Sequence, residues 1–355
     1  MPPVRRLPRP IATLAMGLML SGCSTMGYYA HVAKGQGELV AHRRDVAQVL
    51  GDPATDAAVK RRLELAQQAR RFASTDLGLP DNRSYTSYVQ LDRPYVVWNV
   101  FATPRYSVAP ITHCFPFAGC VAYRGYFSRD KANHEADRLR ASGDDVYVGG
   151  VPAYSTLGWF SDSILSSMMR WDDDELASTI FHELAHQLIY VKDDSAFNES
   201  FASFVQEEGL REWRQSRDLP AQDGHDKAIE DGFTQLVLDL RDRLKTLYAS
   251  GVDDAAMEAG KQREIADFRT RYAQWRAKAW PDDHRYDAWV AAPINNARLL
   301  PFGLYDRWTP AFARLFQQAD GQWPAFYASV RGLARLSPAE REQSLRQWQA
   351  ASGQP

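Results

Sequence analysis

The chain is poor in cysteine, with three in 355 residues, which excludes a disulfide-dense scaffold. It also lacks an excess of one charge: 42 Lys and Arg face 44 Asp and Glu, a formal net charge of −2. The basic footprint of a nucleic-acid binder is therefore missing. Its leading apolar run, Ile11 to Leu20, is too short to span a bilayer as a stable helix. There is no internal repeat and no low-complexity linker. What remains is ordinary globular composition, 45% hydrophobic and 24% charged, and ten Trp with sixteen Tyr can furnish a large aromatic core or an aromatic cleft.

The most informative run is His182-Glu183-Leu184-Ala185-His186. Residues four apart share one face of a helix, so His182 and His186 can offer two imidazole nitrogens to one metal ion. Glu183 lies about 100° round the helix from His182. In metallopeptidases of this pattern that offset lets the carboxylate act as general base on a metal-bound water. A chance HExxH in a chain of this length has odds on the order of one in a hundred. The bland alternative is an amphipathic helix with two exposed histidines. Apolar runs on both sides, Leu176 to Phe181 and Leu188 to Val191, argue for a buried helix instead. Buried imidazoles and a buried carboxylate need partners. Asp172 with Glu175 three residues on reads as the N-cap and capping box of that helix.

Catalytic zinc usually has three protein ligands and keeps the fourth position for water. Glu199, in Asn198-Glu199-Ser200-Phe201-Ala202, is the candidate third ligand. The polar stretch Lys192 to Ser195 separates it from the first helix, and Ser195 can cap a second helix running to about Gly209. Two antiparallel helices would bring Glu199 back over the histidines. Glu207 and Glu208 compete for the role, with a solvated helix end as the plainer reading for both.

The N-terminus points to a compartment. Arg5, Arg6 and Arg9 precede the apolar run, which ends in Leu20-Ser21-Gly22-Cys23 and resembles a bacterial lipobox. Residues 1–22 then form a lipoprotein signal peptide, and Cys23 takes the lipid. Ser24 resembles sorting to the outer membrane. Cleavage removes three arginines and no acid, leaving a net charge of −5. In the oxidising periplasm, the remaining pair Cys114 and Cys120 reads as a disulfide closing a small loop. Metal binding by that pair is disfavoured, since only His113 stands nearby.

HELAHQ followed by NESFA resembles the HELAHQ and NEGFA elements of gluzincin aminopeptidases of the membrane alanyl aminopeptidase type. The resemblance implies one zinc per chain, held by His182, His186 and Glu199. Twelve residues separate His186 from Glu199, several fewer than in that family, so the intervening loop must be shorter. A longer resemblance covers nearly the whole chain. The lipobox, Val97 to Phe101, Cys114-Phe115-Pro116 with Gly119-Cys120, Tyr147 to Phe160 and Phe197 to Ala202 are similar to a family of bacterial lipoproteins called predicted aminopeptidases.

Residues 24–90 read as N-terminal helices, with one starting at Asp52-Pro53 and carrying the stripe Val59, Leu63, Ala66 and Ala73. Residues 91–160 hold short β-branched and aromatic runs, Tyr95–Phe101, Val121–Phe127 and Asp145–Val148, with a helix at about 129–141. Residues 161–355 read as zinc-site and C-terminal helices. The expectation is a single domain, 23–355, of class α+β: mostly helical, with a small, mostly antiparallel sheet. The resemblance makes it zincin-like. Gly149 to Ser155 is the expected substrate-binding edge strand, with Gly149, Gly150 and Tyr154 at the substrate, against the alternative of a simple turn. The alanyl-type GxMEN glutamate has no counterpart, and Asp162 or Glu207 could replace it. Tyr305 is the expected oxyanion-stabilising residue, with Tyr154 and Tyr286 as rivals.

These readings converge on a lipid-anchored zinc peptidase of the periplasmic side of the envelope, an aminopeptidase by resemblance. Its partners are a peptide or protein substrate and, through the anchor, the outer membrane. The alternatives are an endopeptidase or amidase on envelope substrates, or a non-catalytic zinc-stabilised lipoprotein. The lipobox gives the first test. Cys23→Ala should turn a membrane-fraction protein into a soluble or unprocessed one, and a mature wild-type N-terminus without lipid in the mass spectrum would defeat the anchor.

Overall fold

Side-chain caps written in the sequence set most helix boundaries. The computed structural model describes residues 26–115, 119–153, 155–156, 160–222, 224–302 and 307–350. The leader with Cys23, and also Tyr154 and Tyr305, lie outside the described residues. Helix α1 occupies 26–41 and is followed by β1 (Arg44–Asp45) and α2 (Val46–Gly51). Helix α3 (Ala57–Thr75) starts four residues after the expected Pro53. Asp52 is spent on Ala54 N–H and on Arg44, whereas Asp56 accepts from Ala58 and Val59 N–H and caps the helix. The expected stripe holds, with Leu63, Ala66 and Ala73 buried and Val59 packed at the margin.

The middle of the chain supplies strands β2 (Ser87–Val89), β3 (Val97–Thr103), β4 (His113–Phe115), β5 (Gly119–Val121), β6 (Tyr123–Tyr126), β7 (Asp145–Val151) and β8 (Ile164–Leu165). They form three small sheets. The main one, ordered β6-β3-β7, is antiparallel throughout, with Trp98 opposite Tyr126 and Gly150. Helix α4 (Arg129–Ala141), capped by Ser128, lays Ala132, Ala136 and Leu139 on the face made by Trp98, Val100 and Val146. A second sheet, β1-β2-β8, has one parallel pair, β2 with β8. In the third, the β4–β5 hairpin, Cys114 lies opposite Cys120 and a disulfide joins them.

The remaining elements are helices: α5 (Asp173–Leu188), α6 (Ser195–Ser216), α7 (His225–Tyr248), α8 (Asp254–Ala279), α9 (Asp287–Ala291), α10 (Thr309–Gln318), α11 (Trp323–Ala334) and α12 (Pro338–Ala350). At α12 the expected capping box is present: Glu340 accepts from Ser337 N–H, and Ser337 Oγ accepts from Glu340 N–H. No described helix is long and apolar enough to cross a membrane. The protein is mostly helical with small antiparallel-rich sheets, an α+β arrangement.

Two cores matter for the site. The larger gathers α3, α5, α6, α10 and α11 around Phe181, Phe197, Phe201, Phe312 and Phe326. The other lies between α7 and α8, where Phe233, Leu240 and Leu244 meet Ile265, Phe268 and Tyr272. Phe201 is fully buried and its ring meets those of Phe312, Phe326 and Tyr327. Truncating so enclosed a ring leaves a cavity, so Phe201→Ala should cost roughly 3–5 kcal/mol. A urea-unfolding midpoint equal to wild type would show that this cluster does not support the α5–α6 pair.

Candidate metal centre

Helix α5 starts where Asp172 accepts from the N–H of Glu175. Three acids in its first turn suit the positive end of the helix dipole. Leu176, Ala177, Ile180, Phe181, Leu184 and Ala185 are all buried, so the helix is fixed in the larger core. That leaves His182 and His186 on a face turned to α6, with side chains 12% and 7% exposed.

The turn from α5 to α6 is pinned at several points. Asn198, itself buried, accepts from Val191 N–H and donates to Val191 C=O, both at 2.7 Å. Asp194 caps α6 through Phe197 N–H at 3.1 Å and accepts from Arg341 Nε at 2.8 Å. Asp193 is left-handed (φ 65°), and its Oδ1 accepts from Cys120 N–H at 2.7 Å. Gly119 (φ 77°) is needed at this contact, because a Cβ there would run into the Asp193 carboxylate. The disulfide-closed hairpin thus rests on the inter-helix turn.

With the turn fixed, Glu199 faces both histidines. Its Oε2 lies 3.4 Å from His182 Nε2 and 3.5 Å from His186 Nε2, and the two nitrogens are 3.1 Å apart. Tetrahedral zinc with bonds of about 2.0–2.1 Å needs donors about 3.3 Å apart. The triangle and the donor set, two imidazoles and a carboxylate, fit that ion. Among the described residues these three are the one His/Cys/Asp/Glu group close enough to hold a metal. Burial opposes the charge of Glu199, but the hydrogen bonds of His182 and His186 outweigh it and hold the carboxyl down at about 2. Burial likewise opposes the charge of His186, and the bond to Glu199 wins, raising its pKa.

The rival ligands are occupied elsewhere. Glu207 pairs with Lys227 at 2.7 Å and Glu208 with Arg211 at 2.5 Å. Tyr286 is stacked on Phe233, 3.8 Å between ring centroids, inside the α7–α8 core, and burial pushes its phenol up to about 12. Gly149 and Gly150 lie in β7, an edge strand, but Gly150 is small for a packing reason: the Tyr95 ring fills the place of its Cβ.

On the opposite flank, sequence reading names Glu183 and Asp162 but misses the loop that joins them. Glu183 and Gln187 share a face of α5. Gln187 donates to Asp162 Oδ2 at 3.1 Å and accepts from Asn82 Nδ2 at 2.8 Å. Tyr85 N–H bonds Asp162 C=O at 2.6 Å, and Asp162 N–H bonds Ser84 Oγ at 3.2 Å. The loop Asn82–Tyr85 therefore lies along the Glu183 stripe, with Tyr85 buried and left-handed (φ 62°). Burial raises the Tyr85 phenol, with the Glu183 and Asp162 carboxylates adding to it. Tyr190, at the other end, is raised by burial and then by Glu199. No local pattern marks Tyr85, whose neighbours at the site are far away in sequence.

A profile of the family described as "Putative aminopeptidase" matches residues 27–345. The chain belongs to that family. Family membership points to a peptidase hydrolase, and the HExxH helix and Glu199 both fall inside the matched span. No curated protein matches the chain. No solved structure matches it either.

Asp162 yields a pH prediction. Burial raises its carboxyl from 3.8 to about 6, against bonds from Thr156 and Ser155 that lower it. Between those values the folded chain holds a proton that the unfolded chain has lost, so stability falls as pH rises. Asp162→Asn removes that slope. Relative to wild type, the variant should gain on the order of 2–3 kcal/mol across this window. A constant difference in urea-unfolding free energy would show that ionising Asp162 costs the fold nothing.

Proposed function

We propose that this chain is a zinc-dependent peptidase, of aminopeptidase type, anchored through Cys23 on the periplasmic side of the envelope. The observation that carries the reading is the 3.1–3.5 Å triangle of His182, His186 and Glu199, with Glu183 next in sequence to the first of them. Zinc, when bound, supplies a Lewis acid that polarises a carbonyl and makes water a nucleophile near neutral pH. Glu183 takes the proton of the attacking water and passes it to the leaving amine. The two histidines and Glu199 hold the ion, and the low pKa of Glu199 keeps that ligand anionic.

An α+β plan with an HExxH helix, a glutamate helix and an antiparallel sheet supports a zincin-like fold. Asn295 Nδ2 bonds the outward carbonyl of Val146 at 3.1 Å. By the alternation of an antiparallel strand, Val148 and Gly150 also turn their N–H and C=O groups away from β3. A substrate backbone can pair there as an added strand. Asp162 is committed to Ser155, Thr156 and Gln187, and Glu207 to Lys227, so neither supplies a spare carboxylate for a substrate amine. The leader Arg5–Cys23 supports the lipid anchor, and the acidic mature chain makes nucleic acid an unsuitable partner.

Glu183 separates a peptidase from a zinc-stabilised binding protein. Glu183→Gln should lose about 10²–10⁴-fold of peptide hydrolysis. Its zinc content and fold should match wild type, whereas Glu199→Ala should release zinc and activity together. The assay uses zinc-loaded protein and short peptides with free and blocked amino termini. Cleavage of free-amine peptides alone supports the aminopeptidase type, and equal cleavage of blocked ones makes it an endopeptidase. Wild type that loads zinc yet cleaves nothing in a broad library would sink the catalytic reading.

A further inference from the structure

Ser178, His182 and His186 are four apart on α5 and share one face. Glu199 and Gln206 are seven apart on α6, about two turns, and share the face that meets α5. A chain of polar contacts joins the two faces. His182 Nδ1 is 2.8 Å from Gln206 Oε1. Gln206 Nε2 is 3.5 Å from Ser178 Oγ, and Ser178 Oγ is 3.3 Å from the carbonyl oxygen of Glu175.

This chain can run in one direction only. A carbonyl oxygen accepts and never donates, so the Ser178 hydroxyl gives its single proton to Glu175. Ser178 can then only accept from Gln206, which must turn its amide nitrogen toward it. The amide oxygen is left facing His182, and it too can only accept. The amide therefore asks His182 for a proton on Nδ1 at 2.8 Å, while Glu199 asks for one on Nε2 at the longer 3.4 Å; with one proton to give, neutral His182 keeps it on Nδ1. Its Nε2 keeps the lone pair, on the side of Glu199 and His186.

We propose that Ser178 and Gln206 are positioning residues that hold His182 in the Nδ1–H tautomer and so aim its Nε2 at the metal. The tautomer rests on the shorter of the two contacts of His182, and its consequence for zinc rests on the metal reading above. The polarity originates in a backbone carbonyl of α5, so it is built into the helix. Gln206 is neutral, which leaves Glu199 as the one anionic donor in the group. A carboxylate at 206 would keep the acceptor and add charge beside His182, raising its basicity as a ligand.

Two measurements test this. The first is the ¹⁵N spectrum of histidine-labelled apo protein at alkaline pH, where both imidazoles are neutral. Wild type should show His182 as Nδ1–H, and Gln206→Leu should shift it toward Nε2–H. The second is zinc affinity by competition with a chromophoric chelator. Gln206→Leu should bind about 10–100-fold more weakly, with Gln206→Glu equal to wild type or tighter. Ser178→Ala should lose less, in the same direction. The unfolding midpoint of each apo variant is the control. A merely structural hydrogen bond would move that midpoint and leave tautomer and affinity alone, which would overturn the assignment. Finding His182 as Nε2–H in wild type would overturn it as well. A wild type that shows Nδ1–H but binds no zinc upholds the ordering and sinks the metal reading instead.

Discussion

The candidate centre depends on the pair of hydrogen bonds by which Asn198 grips both backbone groups of Val191. They close the turn between α5 and α6, and that turn sets where Glu199 stands relative to His182 and His186. A loop this short has little freedom to lose, so a few bonds suffice to fix it. Asp194 joins in from the helix side, with Arg341 behind it, and Asp193 takes the edge of the disulfide hairpin. Residues from α6, α12 and the β4–β5 hairpin thus converge on six residues of backbone. The Asn beside the Glu in Asn198-Glu199 is therefore the structural partner that places Glu199.

What was legible in the sequence is what local chemistry determines. The 3.6-residue period put His182 and His186 on one face, Asp172 announced the start of α5, and the strands of the main sheet and α4 fell close to where β-branched runs and turn residues put them, whereas β1, β2 and β8 interrupt stretches whose composition reads as helical. The start of α3 was misread because two aspartates, Asp52 and Asp56, can both cap, and only tertiary contacts reveal that Asp52 is held by Arg44. Gly150 was legible as a small residue in a strand, but its cause, the Tyr95 ring, lies outside the strand itself. Tyr85, Ser84 and Asn82 were invisible, since nothing in residues 80–86 says that the chain will fold back along α5 some hundred positions later. Gln206 was findable in principle: it stands two turns after Glu199, on the same face of α6.

The two cores explain how the helices around the candidate site are held. The larger core clamps α5 and α6 through Phe181, Phe197 and Phe201, each with no exposed surface. The α7–α8 pair has its own aromatic core and reaches the main sheet through the part-buried ion pair of Lys261 with Asp145, at 2.6 Å. Asp145 also accepts from Asn296 N–H, which ties the 3-10 turn Asn296–Leu299 to the start of β7. That turn covers the first half of the β7 edge and leaves the second half, toward Gly150, unpaired by it.

Two carboxyls near α5, Asp162 buried and Glu199 partly exposed, show how charge is allotted at the site. Glu199 is held at about 2 and Asp162 is pushed to about 6, although burial acts on both in the same sense. The difference lies in the neighbours. Glu199 faces two imidazoles that can carry positive charge. Asp162 faces hydroxyls, an amide and the carboxylate of Glu183. A group that must bind a cation has to be anionic before the cation arrives, and Glu199 meets that condition. A group that only has to accept hydrogen bonds can tolerate a proton, and Asp162 is such a group. The opposite shifts of these two acids thus follow from their neighbours: Glu199 is the acid suited to a cation, and Asp162 anchors a loop.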